Sequence, residues 1–169
     1  KSFTNSSTGK VVLGSTTATA GLVTGATYTG GSGVDIITFG ATTKAQTLGA
    51  GDDEAYVTGS ALGTDGSIDG GTGTDTIGLT ITNAIAASAN ELFEGDITGF
   101  EKLDLRTSAA GTINLANLDD ISTIKFASAV GHAIVLSNLA DGATTTVAAS
   151  ETAGSVTHTL ASSSGSSDK

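Results

Sequence analysis

The sequence predicts an all-β fold, a parallel β-solenoid in which short strands stack coil upon coil. Glycine contributes 24 of the 169 residues, about twice its usual share. Val, Ile and Leu occur in short alternating runs such as "TINL", "TIKF" and "AIVL", which are typical of half-buried strands. Glycine-rich segments separate these runs at even spacing, and this arrangement is typical of repeat architectures. The 38% apolar content argues against a disordered chain.

The composition excludes several kinds of site and partner. Seventeen Asp and Glu residues against seven Lys and Arg give a net charge of −10, which disfavours nucleic acid and anionic membranes and favours cations. Without Cys, neither disulfides nor thiolate metal sites can form. No apolar run approaches the ~20 residues that span a bilayer, and no signal-peptide pattern occurs in the sequence. Because the chain begins with Lys and contains no Met, we expect it to be one segment, 1–169, of a longer protein.

Residues 1–29 carry no distinctive motif. The stretch "KVVLGSTTATAGLVTG", residues 10–25, alternates apolar and small residues. It is predicted to form one or two undecorated coils.

A glycine-aspartate motif then occurs three times. Residues 30–38, "GGSGVDIIT", and residues 70–78, "GGTGTDTIG", both fit the pattern G-G-x-G-x-D-x-U-x. Residues 48–56, "LGAGDDEAY", fit it with two departures, Leu48 at the first glycine position and Ala55 at the apolar position. The recurrence makes the motif far more specific than a single match.

The aspartates of the three motifs, Asp35, Asp53 and Asp75, are eighteen and then twenty-two positions apart along the chain. A pure array of this nonapeptide would repeat about every nine positions. The spacing between successive aspartates is about two such periods, so each coil is predicted to carry the motif on one edge only. Other loops, such as residues 40–47 and 59–67, would build the opposite edge.

Glycine and aspartate in this order suit a calcium ion. Glycine allows positive φ, so that the turn can aim its carbonyls at one point, and calcium takes about six to eight oxygen ligands. Two turns stacked at the strand spacing of ~4.8 Å can sandwich an ion between them. Three stacked turns therefore imply about two ions, or more. Asp53, in the middle turn, would help to hold both. The expected ligands are Gly30, Gly31, Gly33, Asp35, Gly49, Gly51, Asp53, Gly70, Gly71, Gly73 and Asp75.

Other acidic residues crowd the same region. Asp52 and Glu54 flank the middle motif, and Asp65 and Asp69 precede the last one. Each is interpreted either as a solvated charge or, for Asp65 and Asp69, as part of an outer calcium shell. A phosphate-binding loop is excluded, because neither G-x-G-x-x-G nor G-x-x-x-x-G-K-[ST] occurs. Ordinary glycine turns that happen to contain Asp remain the alternative.

The three motifs resemble the repeats-in-toxin family, whose G-G-x-G-x-D-x-U-x repeats form calcium-loaded parallel β-rolls. The resemblance covers roughly residues 30–80 and implies a calcium-binding roll there. Residues 81–99 are predicted to connect this roll to the second half through one short helix at about 89–94. Ser88 and Glu91 would form its capping box, and Gly95 would stop it.

Residues 100–169 carry a different repeat, in which like residues recur twenty-one positions apart. It aligns Ile113 with Ile134, Leu115 with Leu136, and Leu118 with Leu139. Strands are predicted near 103–105, 113–115, 124–126, 134–136 and 145–147. These aligned residues and Ile124 should point inward, and Asn117 should stack on Asn138 as an amide ladder at a turn.

The strings "TGFEKLDL" and "GTINLANLDDISTIKF" behind a glycine-aspartate block resemble calcium-dependent surface-layer proteins of Gram-negative bacteria. This resemblance covers about residues 30–165. It implies type I secretion, location on the outer cell surface, and self-assembly of identical copies into a two-dimensional lattice. Contact with cell-surface polysaccharide would belong to another part of the parent chain.

Two alternative functions remain. Large calcium-dependent adhesins carry similar strings, and repeats-in-toxin rolls also serve as the non-catalytic export modules of secreted enzymes. The chain itself is not expected to be an enzyme. Its two histidines, His132 and His158, are isolated, and no Cys is present as a nucleophile.

Overall fold

The structure, a computed structural model, describes residues 1–14, 21–89, 92–107, 109–127, 131–147 and 154–160. Its strands are between two and seven residues long, as expected where each strand crosses a coil once. In chain order the elements are β1 (Ser2–Thr4), β2 (Val11–Leu13), β3 (Thr27–Thr29), β4 (Asp35–Phe39), β5 (Ala45–Thr47), β6 (Glu54–Val57), β7 (Ser67–Asp69), β8 (Thr76–Thr80), α1 (Ile81–Ala87), α2 (Leu92–Asp96), β9 (Ile97–Thr98), β10 (Lys102–Arg106), β11 (Gly111–Asn114), a 3-10 turn (Leu115–Asn117), β12 (Thr123–Phe126), β13 (Ala133–Leu139), β14 (Thr144–Val147) and β15 (Ser155–Leu160).

Consecutive strands lie in different sheets, and every described strand pair is parallel. The first sheet has the order β1-β3-β5-β7-β9, the second β2-β4-β6-β8-β10-β12-β14, and the third β11-β13-β15. Each strand therefore pairs with the strand two places along the chain, one coil away. This winding confirms the predicted all-β parallel solenoid.

A large part of the core consists of stacked apolar side chains on the inner face of the second sheet. Because side chains alternate across a strand, residues two apart on one strand share that face. Burying one Ile, Leu or Phe side chain contributes about 1.5–3 kcal/mol, so these columns hold successive coils together. The columns are Ile37, Ala55, Ile77, Leu103 and Ile124, and Phe39, Val57, Leu79, Leu105 and Phe126, each at most 1% exposed.

The strand positions predicted for the second half are confirmed, and so is the predicted alignment within the second sheet. Leu103 pairs with Ile124, and Phe126 pairs with Val147, each pair being twenty-one positions apart. The seven side chains expected to point inward are all buried: Ile113, Leu115, Leu118, Ile124, Ile134, Leu136 and Leu139.

The predicted register of the third sheet is wrong. Ile113 pairs with Leu136 instead of Ile134, so the pairing is shifted by two positions. The predicted stacking of Asn117 on Asn138 is therefore wrong as well. The Asn138 amide donates to Asn114 Oδ1 at 2.7 Å, whereas the Asn117 amide donates to the Ser88 carbonyl at 3.0 Å.

The described residues hold two short helices after the first half, where one was predicted. Helix α2 overlaps the predicted 89–94, but it contains Gly95, so Gly95 does not stop it as expected, and helix α1 is additional. Helix α1 starts directly after β8, where the Thr80 hydroxyl accepts a hydrogen bond from the Asn83 amide as the N-cap. Ser88 is the C-cap of α1, with its amide on the Ala84 carbonyl at 2.9 Å, so its predicted role as an N-cap is wrong. Glu91, the predicted capping partner, lies outside the described residues.

The N-terminal segment forms one coil, β1 with β2, and begins the next with β3. Residues 15–20, inside the predicted undecorated segment, lie outside the described residues. Within the described ranges, none of the helices has the length and apolar character needed to cross a membrane.

Candidate metal site: the Gly–Asp edge

Three turns that lead from the first sheet to the second stack directly on one another. They comprise residues 30–35, 48–53 and 70–75, which we call the Gly–Asp edge. The register of the flanking strands matches the turns residue for residue. The predicted ligands of the three motifs are thus brought together on one edge of the solenoid, with their final aspartates in one column.

Backbone hydrogen bonds join each turn to the next. The Ala50 amide donates to the Gly31 carbonyl at 2.8 Å, and the Thr72 amide donates to the Gly49 carbonyl at 2.9 Å. Gly49 and Gly71 have positive φ angles of 104° and 97°, and a Cβ on Gly71 would lie 1.9 Å from the Gly49 oxygen. Only glycine permits both this conformation and this approach.

The aspartates form a ladder of hydrogen bonds from coil to coil. Asp53 Oδ1 accepts the Asp35 amide at 2.7 Å, and Asp75 Oδ1 accepts the Asp53 amide at 2.7 Å. All three aspartates are 0% exposed. A hydrogen bond from an amide to a carboxylate is stronger than one between neutral groups, so each aspartate holds the preceding coil in register.

The first aspartate of the ladder differs from the next two. At Asp35, Oδ2 accepts the Tyr28 hydroxyl at 2.7 Å, while Oδ1 accepts the Asn5 side-chain amide at 3.3 Å and the Val11 backbone amide at 3.2 Å. By contrast, Asp53 Oδ2 and Asp75 Oδ2 are buried without a hydrogen-bond partner among the described residues. A buried, unpaired carboxylate oxygen is costly, so these two atoms call for a positively charged neighbour or a proton.

The raised pKa values of Asp53 and Asp75 also indicate that these carboxylates lack a positively charged neighbour. Burial raises the pKa of Asp53 to about 6, and the nearby charges of Asp75 and Asp35 add to the rise, while the hydrogen bond from the Asp35 amide opposes it. Burial also raises the pKa of Asp75, with the charges of Glu101 and Asp52 contributing. A cation beside these carboxylates would favour their ionised form.

We expect the stability of the chelator-treated protein to fall as the pH rises from 5 to 7. Because the pKa of Asp53 in the folded protein, about 6, exceeds the ordinary value of 3.8, the folded state binds this proton more tightly than the unfolded chain. Stability is therefore lost as the pH rises from the ordinary pKa through the folded one, and it stays low above that. Urea denaturation in EDTA should show a lower midpoint at pH 7 than at pH 5.

Asp53→Asn should reduce this pH dependence, since it removes one of the two ladder aspartates whose pKa is raised, and Asp75 remains. The exposed Asp141→Asn is the control and should keep the wild-type profile. A midpoint that rises between pH 5 and pH 7 in EDTA would contradict the expectation.

Sequence reasoning missed the fourth carboxylate of the ladder. Glu101 directly precedes β10, which pairs with β8, and its Oε2 accepts the Asp75 amide at 2.8 Å. A signal for it was present, because Glu101 is followed by buried apolar residues two and four positions later, Leu103 and Leu105. The aspartates Asp35 and Asp75 show the same spacing. The glycine-rich turn that precedes each aspartate is mostly absent before Glu101, where Gly99 is the nearest glycine.

The remaining acidic residues lie outside the ladder. Exposed Asp52 accepts the Thr74 amide, and exposed Asp69 accepts the Gly71 amide, each at 3.0 Å, so both brace the turns from outside. Asp65 lies in the loop between β6 and β7 with a φ of 62°. This loop belongs to the opposite edge of the coil, so Asp65 is not brought to the Gly–Asp edge.

A hard cation such as calcium fits the donor chemistry of this edge. Carboxylate and carbonyl oxygens are the ligands that calcium prefers, and Asp53 and Asp75 each offer one oxygen that accepts no hydrogen bond from the described residues. Among the described residues no three acidic or imidazole side chains converge on one point, since the aspartates come one per coil. A cation held here would take its other ligands from the backbone carbonyls of the turns.

A separate polar cluster lies on the outer face of the second sheet. Tyr56 is 4% exposed, and its ring covers Gly78, where a Cβ would lie 2.2 Å from the ring. The Arg106 guanidinium lies 4.4 Å from the ring centroid, and the Tyr56 hydroxyl donates to Glu54 Oε2 at 2.6 Å. Asp104 lines a groove of about 320 Å³ beside Tyr56. Together these side chains form a polar cluster on the outer surface of the sheet.

Comparison with protein-family models and with curated protein sequences gave no match to this chain.

Proposed function

We propose that this chain is a calcium-dependent structural segment of a secreted bacterial surface-layer protein, with calcium held at the Gly–Asp edge. The observation that carries the calcium proposal is a pair of buried oxygens, Asp53 Oδ2 and Asp75 Oδ2, that have no hydrogen-bond partner in the part of the chain that the structure describes. Burying two carboxylate oxygens one coil apart without a compensating charge would destabilise the fold. Both would gain a partner from a divalent cation.

Calcium, when bound, supplies the positive charge that the carboxylate column lacks. The side chains of Asp53 and Asp75 would hold it, and the stacked turns would contribute carbonyl oxygens. Glycine at positions such as 49 and 71 lets these turns approach closely enough to share ligands. Binding would thereby tie neighbouring coils to each other.

A structural role agrees with the regularity of the molecule. The same strand, turn and ladder positions recur from coil to coil, and the two repeat systems share one continuous second sheet. The surface-layer assignment itself rests on the strings "TGFEKLDL" and "INLANL", on the net charge of −10 and on the absence of Cys. The partners would be further copies of the same protein, outside the cell, where calcium is abundant.

Electron microscopy of the full-length parent protein, with calcium and with chelator, tests the assembly proposal. An ordered planar lattice that forms with calcium and disperses with chelator is the expected result. Isolated fibres or cell-attached threads would instead identify an adhesin and overturn the surface-layer assignment.

Asp53→Asn is expected to weaken calcium binding at least about tenfold, since affinity at such sites depends on the charge of the ligands. The substitution keeps Oδ1 as acceptor for the Asp35 amide, so the ladder remains. Asp52→Asn is the matched control, because it removes an exposed charge from the same turn. Isothermal titration calorimetry gives both affinities, and equal losses in the two variants would contradict the proposed site.

A further inference from the structure

We propose that Tyr28 and Asn5 close the aspartate ladder at its first coil, so that Asp53 and Asp75 hold calcium and Asp35 does not. This inference rests on the proposed calcium function and specifies which carboxylates serve it. It departs from the expectation that all three aspartates are ligands. The three copies of the motif look alike in sequence, but their buried surroundings differ.

The difference begins with the number of donors at each carboxylate. Asp35 accepts hydrogen bonds from the Tyr28 hydroxyl, the Asn5 amide and the Val11 backbone amide. Asp53 accepts one backbone amide through Oδ1, and so does Asp75, while the Oδ2 atom of each has no described partner. Protein donors thus already stabilise the carboxylate of Asp35, whereas Asp53 and Asp75 each keep one oxygen without a donor among the described residues.

The inner face of the first sheet explains this difference. Tyr28, Gln46 and Ile68 occupy the same position on β3, β5 and β7, and all three are buried. In the first of these coils the tyrosine reaches Asp35 with its hydroxyl. The stacking of its ring on Phe3, with centroids 5.6 Å apart, helps to fix that orientation.

The next two coils have no such donor at this position. The Gln46 side-chain amide is engaged by the Ala26 carbonyl at 2.9 Å and the Thr42 hydroxyl at 2.7 Å, and its Oε1 accepts the Tyr28 backbone amide at 2.6 Å. It is therefore committed away from Asp53. Ile68 has no polar atom in its side chain, so it offers Asp75 nothing. The residue at this inner position thus decides whether the Oδ2 atom of the aspartate in that coil has a protein donor or is left open for a cation, while Asn5 adds a donor to Asp35 Oδ1.

Tyr28→Phe tests the inference, because it removes one hydroxyl and leaves Asp35 Oδ2 as open as the Oδ2 atoms of Asp53 and Asp75. Calorimetric titration with calcium should show one more ion bound per chain than in the wild type. Tyr56→Phe is the matched control, since it also removes a tyrosine hydroxyl from a carboxylate, that of Glu54, on the outer face of the sheet. It should keep the wild-type stoichiometry, and circular dichroism should show all variants folded in calcium.

Asp35→Asn provides a second measurement if Tyr28→Phe does not fold. Its amide can still accept through Oδ1 and donate to the Tyr28 hydroxyl, so calcium stoichiometry and affinity should match the wild type. An unchanged stoichiometry in folded Tyr28→Phe, or a calcium ion lost in Asp35→Asn, would overturn the inference while leaving the calcium function intact. A wild-type chain that binds no calcium would overturn the proposed function and this inference together.

Discussion

Replacing Leu118 with Asp is expected to unfold the chain. Leu118 follows the 3-10 turn of the second half and is 1% exposed. Losing a buried leucine side chain costs about 2–5 kcal/mol, and burying an unpaired carboxylate adds several more. Domains of this kind have a total stability of only about 5–15 kcal/mol. Circular dichroism and urea denaturation should show little or no folded protein.

Ala116→Asp is the matched control. Ala116 lies in the 3-10 turn that Leu118 follows, but its side chain is exposed. The added charge therefore remains in water, and the urea midpoint should stay close to that of the wild type. If Leu118→Asp also kept the wild-type midpoint, the inward register described for the second half would be wrong.

Removing calcium at pH 7 is expected to reduce amide-exchange protection strongly in residues 30–80 while residues 100–150 stay protected. The first region holds seven acidic residues against the single base Lys44. In the folded state Asp53 and Asp75 are also buried, so repulsion and desolvation add up when the turns stack. The glycines increase the entropy lost on ordering.

Calcium would offset these costs. Binding to the folded state alone adds about 2.7 kcal/mol per site at a hundredfold excess over Kd, which is a large share of the stability of a small domain. Residues 100–150 hold five acidic residues against three bases and a fuller set of buried apolar side chains. The second half should therefore depend on calcium less.

Hydrogen exchange followed by mass spectrometry, in EDTA and after calcium is restored, measures this difference. Magnesium at the same concentration is the control for ionic strength, because its smaller, strictly octahedral shell suits such a turn poorly. Equal protection of both halves with and without calcium would show that the roll folds without the ion.

The solenoid and its coil boundaries could be predicted because the signals are local. The spacing of Asp35, Asp53 and Asp75 sets the length of each coil, and the alternating apolar residues set the face that each strand buries. The register of the third sheet could not be predicted in the same way. Shifting the partner of Ile113 by two positions, from Ile134 to Leu136, keeps the same side of the strand inward, so alternation alone does not distinguish the two pairings.

Helix α1 is not predicted from the sequence because two helix-start signals compete in this segment. Ser88 followed by Glu91 has the form of a capping box, whereas Thr80 caps α1 at the end of a run, "TIGLT", that continues a strand. The earlier signal is visible in the buried spacing of Ile81, Ala84 and Ala87, which is helical. The bond from Tyr28 to Asp35 could not be anticipated, since it requires knowing which side chains of two different sheets meet inside one coil.

The turns of the Gly–Asp edge have one constant length, whereas the loops at the opposite edge vary in length. The loop between β4 and β5 spans residues 40–44, while the corresponding loop between β6 and β7 spans residues 58–66 and is longer by four. This difference accounts in full for the wider spacing of the second pair of aspartates, Asp53 and Asp75, compared with the first. Coils can therefore be lengthened or shortened at the loop edge without shifting a single rung of the ladder. We therefore expect insertions to be tolerated at that edge, where a longer loop leaves the hydrogen bonds between aspartates in place.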